Sequence, residues 1–165
     1  MDKFGNKFGT SFQLKIISCL LTDRIFLQQV YDILKPEMFD SDANEWLVTK
    51  TMSHFDSYSS LPTLDVFKNE VDKVERDVLK QSIVDNLKQV WNFLESEDLS
   101  YVKEQTLEFC KNQTFKNAIL ESVDLLNDGK FDVIKSKIDN AMKAGQDTDI
   151  GHEYKESIVE RYEAT

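Results

Sequence analysis

LSYVKEQTLEFCKNQTFKNAILESVDLLN, residues 99–127, holds neither glycine nor proline. A helix can run through it unbroken, and about 28 residues at 1.5 Å each make a rod of roughly 42 Å. Apolar side chains recur at helical spacings through it, at Val102, Phe109, Ala118, Ile119, Val123 and Leu126. Asn127-Asp128-Gly129-Lys130 then reads as a turn, with Gly129 suited to a left-handed C-cap. A second helix is expected over 131–144, carrying Phe131, Ile134, Ile138, Ala141 and Met142, with Gly145 as its stop. So short a turn folds the two helices back as an antiparallel hairpin, their apolar stripes meeting along one seam. Phe109 and Phe115 do not easily share that seam, and a rod longer than a small domain projects beyond it. We therefore expect a protruding, self-associating arm over 99–145, rather than a hairpin laid flat on the rest of the chain.

Working towards the N-terminus, residues 11–98 read as a compact helical domain. A helix is expected from Thr10 or Ser11, capped by one of those hydroxyls, with Phe12, Leu14, Ile16, Ile17, Leu20 and Leu21 as its apolar positions. Thr22-Asp23 offers a stop and a new N-cap, and Ile25, Phe26, Val30, Ile33 and Leu34 then recur at helical spacing up to Pro36. Met38-Phe39 reads as a plug into the core. Asp40-Ser41-Asp42 caps a third helix with Trp46, Leu47, Met52 and Phe55, running to about Tyr58. Residues 59–63 are a loop, Thr63 caps a short helix with Leu64, Phe67 and Val71, and a fifth helix over about 75–95 carries Val78, Leu79, Ile83, Leu87, Val90, Trp91 and Leu94. Trp46, Phe55 and Trp91 are expected in the core rather than as a base-stacking platform, which would interleave them with Lys and Arg. Residues 1–10 read as a flexible leader with Gly5 and Gly9. Residues 146–165 read as a linker, in which Tyr154, Ile158 and Tyr162 fall at i, i+4 and i+8 of a short amphipathic helix.

Composition supports this outline. A chain of 165 residues suits one domain with an appendage, and its length allows roughly 70% of the unfolded surface to be buried. Five glycines and two prolines are too few for a sheet- or loop-rich fold, so the class expected is all-α. Thirty carboxylates against twenty Lys and Arg leave a net charge of −10. Such a polyanion has few cations with which to displace counterions, which argues against gripping DNA and against an acidic membrane surface. Cys19 and Cys110 lie in apolar helical patterns and are expected as buried free thiols. Residues 1–10 are polar, the first apolar run (residues 16–21) is short, and no membrane-length apolar stretch follows, so the expected compartment is the cytoplasm.

Chemistry-bearing motifs are few. The glycines form neither GxxxxGK[ST] nor GxGxxG, and there is no HExxH, CxxC or EF-hand pattern. His54, near the end of the third helix, reads as structural and His152 as solvated; neither has a neighbouring Cys or Ser that suggests a nucleophile and base. The acidic clusters at Glu95, Glu97 and Asp98 and at Asp147 and Asp149 read as solvated. No catalytic residue, metal ligand or cofactor is expected in this chain.

The order of features resembles the N-terminal domain of DnaB-type replicative DNA helicases, most of all those of tailed bacteriophages. The similarity spans about residues 11–163. It comprises an opening helix of the form xxLLxxLL (Gln13-Leu14-Lys15-Ile16-Ile17-Ser18-Cys19-Leu20-Leu21) and a P-x-x-F plug (Pro36-Glu37-Met38-Phe39). A helix after a short polar stretch follows, then a connection ending Pro62-Thr63, the long hairpin, and a linker at Asp149-Ile150-Gly151-His152-Glu153-Tyr154. One departure stands at the first helix, where the family's acidic-Gln pair is Phe12-Gln13. The other is that the ATPase motor domain of the family, with its phosphate loop, ATP and Mg, would follow Thr165, so the chain reads as the front part of a longer protein.

The resemblance implies an assembly role: pairing through the hairpins into a dimer, a trimer of dimers or a hexameric ring, and gathering primase and helicase loader. It makes Val102, Phe109, Phe115, Ile119, Val123, Leu126, Phe131, Ile134 and Ile138 candidates for hairpin self-association. Tyr154, Ile158 and Tyr162 become candidates for docking the linker on the neighbouring subunit's motor domain. The competing reading is a stand-alone helical adaptor, such as a phage helicase loader or primase-binding protein. A metal-dependent or acid–base enzyme is the third and weakest.

Overall fold

The computed structural model describes residues 8–146. Among these are seven α-helices and no strand: α1 (Thr10–Thr22), α2 (Arg24–Val30), α3 (Asp42–Tyr58), α4 (Leu64–Val71), α5 (Asp77–Phe93), α6 (Leu99–Asn127) and α7 (Phe131–Gln146), with a 3-10 turn at Pro36–Met38. The protein is all-α, as its shortage of turn residues implies. It divides into two compact units, Met1–Lys103 and Glu104–Thr165. The division falls inside α6, a few residues beyond its start, because the first turn of α6 is tied into the first unit.

The first unit is built around α1. Leu14, Ile16, Ile17, Cys19 and Leu20 are all fully buried, so this helix is apolar around most of its circumference and must be covered on several sides. It packs against α2, α3 and α5; α3 packs on α5 and on the 3-10 turn, and α4 lies on α5. Phe26, Leu47, Phe67, Ile83 and Val90 complete the core. Phe39 is buried behind Pro36, as the plug reading requires, while Met38 is only half-buried.

The polar residues buried in this core tie helices together. The Ser18 hydroxyl donates to the Val90 carbonyl at 2.8 Å, joining α1 to α5. Asn86 Nδ2 donates to Asn44 Oδ1 at 3.0 Å, joining α5 to α3. Gln13, 1% exposed, donates through Nε2 to the Phe8 carbonyl at 2.9 Å and to Asp40 Oδ2 at 2.8 Å, and accepts from the Asp40 N–H at 3.0 Å. One buried amide therefore holds the entry to α1 against the entry to α3, with its polar atoms compensated for loss of water.

Several helix ends match the local chemistry of the sequence. Asp23, Ser41 and Thr63 cap α2, α3 and α4, their side chains accepting from Phe26, Asn44 and Val66. Gly129 has φ +71°, its N–H bonds the Leu126 carbonyl, and the Lys130 N–H bonds the Leu125 carbonyl, both at 3.0 Å. This is the Schellman ending that a glycine after a long helix favours.

Other expectations need correction. The N-cap of α1 is Gly9 and makes no side-chain bond, so neither Thr10 nor Ser11 serves. Phe8, expected in the flexible leader, is buried and packs edge-on against Phe12 with centroids 4.9 Å apart. Helix α2 stops at Val30, whose carbonyl accepts from both Ile33 and Leu34; this tightened turn ends the helix before Pro36 can. Helix α7 continues through Gly145 to Gln146, since one glycine lowers helix stability without forbidding it. Trp46, Phe55 and Trp91 are half-buried rather than core. Ile25 and Val78, counted among the apolar stripes, are exposed.

Candidate interaction surface

The second unit carries most of the exposed apolar surface. Of the twelve large hydrophobic side chains exposed among the described residues, eight lie between Phe115 and Met142. Scattered exposed apolar residues are normal on a soluble protein, whereas a contiguous run marks a contact face.

On the C-terminal half of α6, Phe115, Ile119, Val123 and Leu126 are 39%, 45%, 54% and 56% exposed. Their spacing is i, i+4, i+8 and i+11, which places them on one face of a helix. A different face of α6 is withdrawn from solvent, where Ala118 is buried and Ser122 and Leu125 are half-buried. On α7, Ile134 and Ile138 are half-buried and Ala141 is buried. Both inward sets are spaced i, i+4, i+7. Beside them the Lys137 ammonium of α7 meets Glu121 of α6 at 2.7 Å, eight residues either side of Gly129.

The nine self-association candidates therefore separate. Phe115, Ile119, Val123, Leu126 and Phe131 are on the surface, and Ile134 and Ile138 are half-covered on the inner face of α7. Val102 and Phe109 are 1% and 0% exposed and are not on the surface of a single chain. Leu120, Val133 and Met142 are exposed as well; the first two do not stand out by periodicity, because they lie off the stripes that a helical repeat selects. Tyr154, Ile158 and Tyr162 fall outside the described residues.

The start of α6 is secured by polar contacts within the first unit. The Lys103 ammonium meets Asp23 at 2.9 Å, both side chains being about four-fifths covered. Burial pushes the Asp23 carboxyl up, but hydrogen bonds from Lys103 and from the Phe26 N–H outweigh it and hold the group below the usual carboxylate range. Lys15 reaches Asp98 at 2.8 Å, and hydrogen bonds from Lys15 and Ser96 lower the Asp98 carboxyl too. The Cys19 thiol faces the Leu99 carbonyl at 3.7 Å.

Little in the described residues points to bond-making chemistry. Burial pushes both the Cys19 and the Cys110 thiol up to about 12, so neither is a thiolate nucleophile at neutral pH. The His54 ring lies tilted against Tyr58 with centroids 4.7 Å apart. No group of three or more His, Cys, Asp or Glu among the described residues is placed to hold a metal ion. No helix among them is long and apolar enough to cross a membrane. Set against protein-family models, curated proteins and solved structures, the chain matches none of them.

Proposed function

We propose that this chain is the N-terminal assembly and partner-binding domain of a hexameric replicative DNA helicase, acting in the cytoplasm and joining its copies through the exposed face of α6 and α7. The observation that carries the assembly half is the stripe Phe115, Ile119, Val123 and Leu126, left in water while a separate stripe of α6 turns inward. Four large apolar side chains in one row gain free energy by being covered, at about 25 cal/mol per Å². A second copy presenting the same row is self-complementary about a two-fold axis. The helicase half is supported by the order of features: an apolar opening helix, the Pro36–Phe39 plug, the Thr63-capped α4 and the long α6 turning at Gly129 into α7. A net charge of −10 suits a collar that gathers primase and loader around DNA without holding the phosphates itself.

Light scattering tests the assembly. The parent is expected as a dimer or larger ring, and Phe115→Asp or Leu126→Asp as a monomer; a monomeric parent rejects the proposal. Reading the gene beyond Thr165 tests the identity: a phosphate-loop ATPase is expected there, and a stop codon directly after Thr165 favours the stand-alone adaptor instead.

A further inference from the structure

The first unit has an open groove between α4 and α5, formed wholly by residues 64–92. It encloses about 740 Å³, and its apolar lining is Leu64, Val71, Val84, Leu87 and Trp91. Val71 and Leu87 are buried, whereas Leu64, Val84 and Trp91 are half-buried, so apolar surface stays in water along both walls. A tryptophan left half-open in an apolar trough is a characteristic anchor for a partner side chain. The wall positions repeat with the helix. Residues 64, 68 and 71 on α4 and 84, 88 and 91 on α5 are each spaced i, i+4, i+7, so one face of each helix turns to the groove. Either face runs about 10.5 Å, or two turns. A trough of that shape between two packed helices fits a third helix with apolar side chains at i, i+4 and i+7, its ridge entering the gap between them.

The charge at the edges selects among such helices. Each wall contributes one exposed lysine, Lys68 from α4 and Lys88 from α5, against the single carboxylate of Asp72. Neither lysine forms an ion pair among the described residues, although Lys50 and Lys73 both reach Glu70, two positions from Lys68. A chain with thirty carboxylates and twenty Lys and Arg has thus left two cations uncompensated across one apolar trough. At physiological salt the Debye length is about 8 Å, so a docked helix senses these two ammonium groups more than the net charge of the rest of the chain. We propose that the groove between α4 and α5 is a docking site for an acidic amphipathic helix of a partner protein. Its apolar stripe seats against Leu64, Val84 and Trp91, and its flanking Asp or Glu side chains meet Lys68 and Lys88. The apolar contact supplies the affinity; the lysines favour a negative flank over a positive one, and that preference weakens with salt. The site uses no residue of the α6 stripe and holds whether or not the chain self-associates.

Trp91 supplies the measurement. The probe is a displayed library of amphipathic peptides about four helical turns long, with apolar residues fixed at i, i+4, i+7 and i+11 and the flanking positions varied among Glu, Lys, Gln and Ser. Selection on the full chain is expected to enrich Glu at the flanks. The best binder is then added to the full chain carrying Trp46→Phe, in which Trp91 is the sole tryptophan, and is expected to shift its emission to the blue, saturably. The same peptide with Lys in place of Glu is expected to bind about tenfold more weakly, and Lys68→Glu with Lys88→Glu to reverse that order. Circular dichroism matching the parent checks the fold of that variant, and the milder pair Lys68→Gln and Lys88→Gln is expected to abolish the preference. The inference is overturned if no selected peptide shifts Trp91, if the Lys peptide binds equally well, or if the order is unmoved by the lysine substitutions. It is overturned too by a blue shift that grows with the concentration of the chain alone, which assigns the groove to a second copy. An equal shift from a single-stranded oligothymidylate, which assigns it to nucleic acid, has the same consequence.

Discussion

The two units of this protein use apolar side chains in opposite ways. In the first, α1 is buried around most of its circumference, and Ile16, Ile17, Leu20, Phe26 and Phe67 are almost wholly removed from water. In the second, α6 and α7 leave Phe115, Val123, Leu126 and Phe131 between 39% and 64% exposed. The contrast teaches that hydrophobic content alone does not distinguish a stabilising residue from an associating one. What separates them is whether the helix carrying a residue has enough neighbours to cover all its apolar faces. Helix α1 packs on three others, whereas α6 and α7 leave eight large apolar side chains between Phe115 and Met142 in solvent.

The comparison would break first at the core. Phe26→Ala is expected to cost about 3–5 kcal/mol and should lower the thermal midpoint of the first unit sharply; a loss under about 1 kcal/mol would mean that this core is loosely packed. Next in size is Asp23→Ala, which removes the cap of α2 and the Lys103 pair together, at about 1–2 kcal/mol in chemical denaturation. Its pH dependence has a definite sign. The folded Asp23 carboxyl titrates below its ordinary value, so its contribution is complete above the ordinary Asp range and lost as pH falls through the lowered folded value. The difference between parent and variant should therefore be largest at neutral pH and shrink in acid; a constant difference would rule out the ion pair as its source.

Gly129→Ala is expected to cost about 1 kcal/mol through backbone strain alone, since a Cβ there meets nothing within 4 Å. Smallest in stability, though decisive for assembly, is Leu126→Asp. Because the parent side chain is 56% exposed, the denaturation of the single chain should change by no more than about 0.5 kcal/mol while the oligomer is lost. Finally, the chain should show no appreciable DNA affinity at physiological salt in a fluorescence anisotropy titration; nanomolar binding would overturn the charge argument.

Much of the outline was legible without coordinates. Three of the capping side chains, Asp23, Ser41 and Thr63, act where their chemistry places them, and the span 99–127 and the turn at Gly129 follow from local composition. What was not legible concerns faces and partners. Helical spacing grouped Val102 and Phe109 with Val123 and Leu126, yet the first pair is buried and the second exposed. Periodicity reports which residues share a helix face; it carries no information about what lies opposite. Trp91 was expected as a core residue for the same reason and instead lines the trough beside α4. The role of Gln13, polar on an apolar helix, became clear only from its three bonds to Phe8 and Asp40.

The sequence by itself determined the all-α class, most of the helix limits and the left-handed turn, because these depend on backbone sterics, capping and composition within a few residues. Only the tertiary structure decided which apolar stripe is core and which is surface, that the first turn of α6 belongs with the first unit through Lys103 and Asp23, and that α4 and α5 leave a groove between them. Those outcomes depend on contacts between residues far apart in the chain, such as Asp23 and Lys103, eighty positions apart, or Lys15 and Asp98, eighty-three apart, and burial is a property of that arrangement rather than of any local stretch.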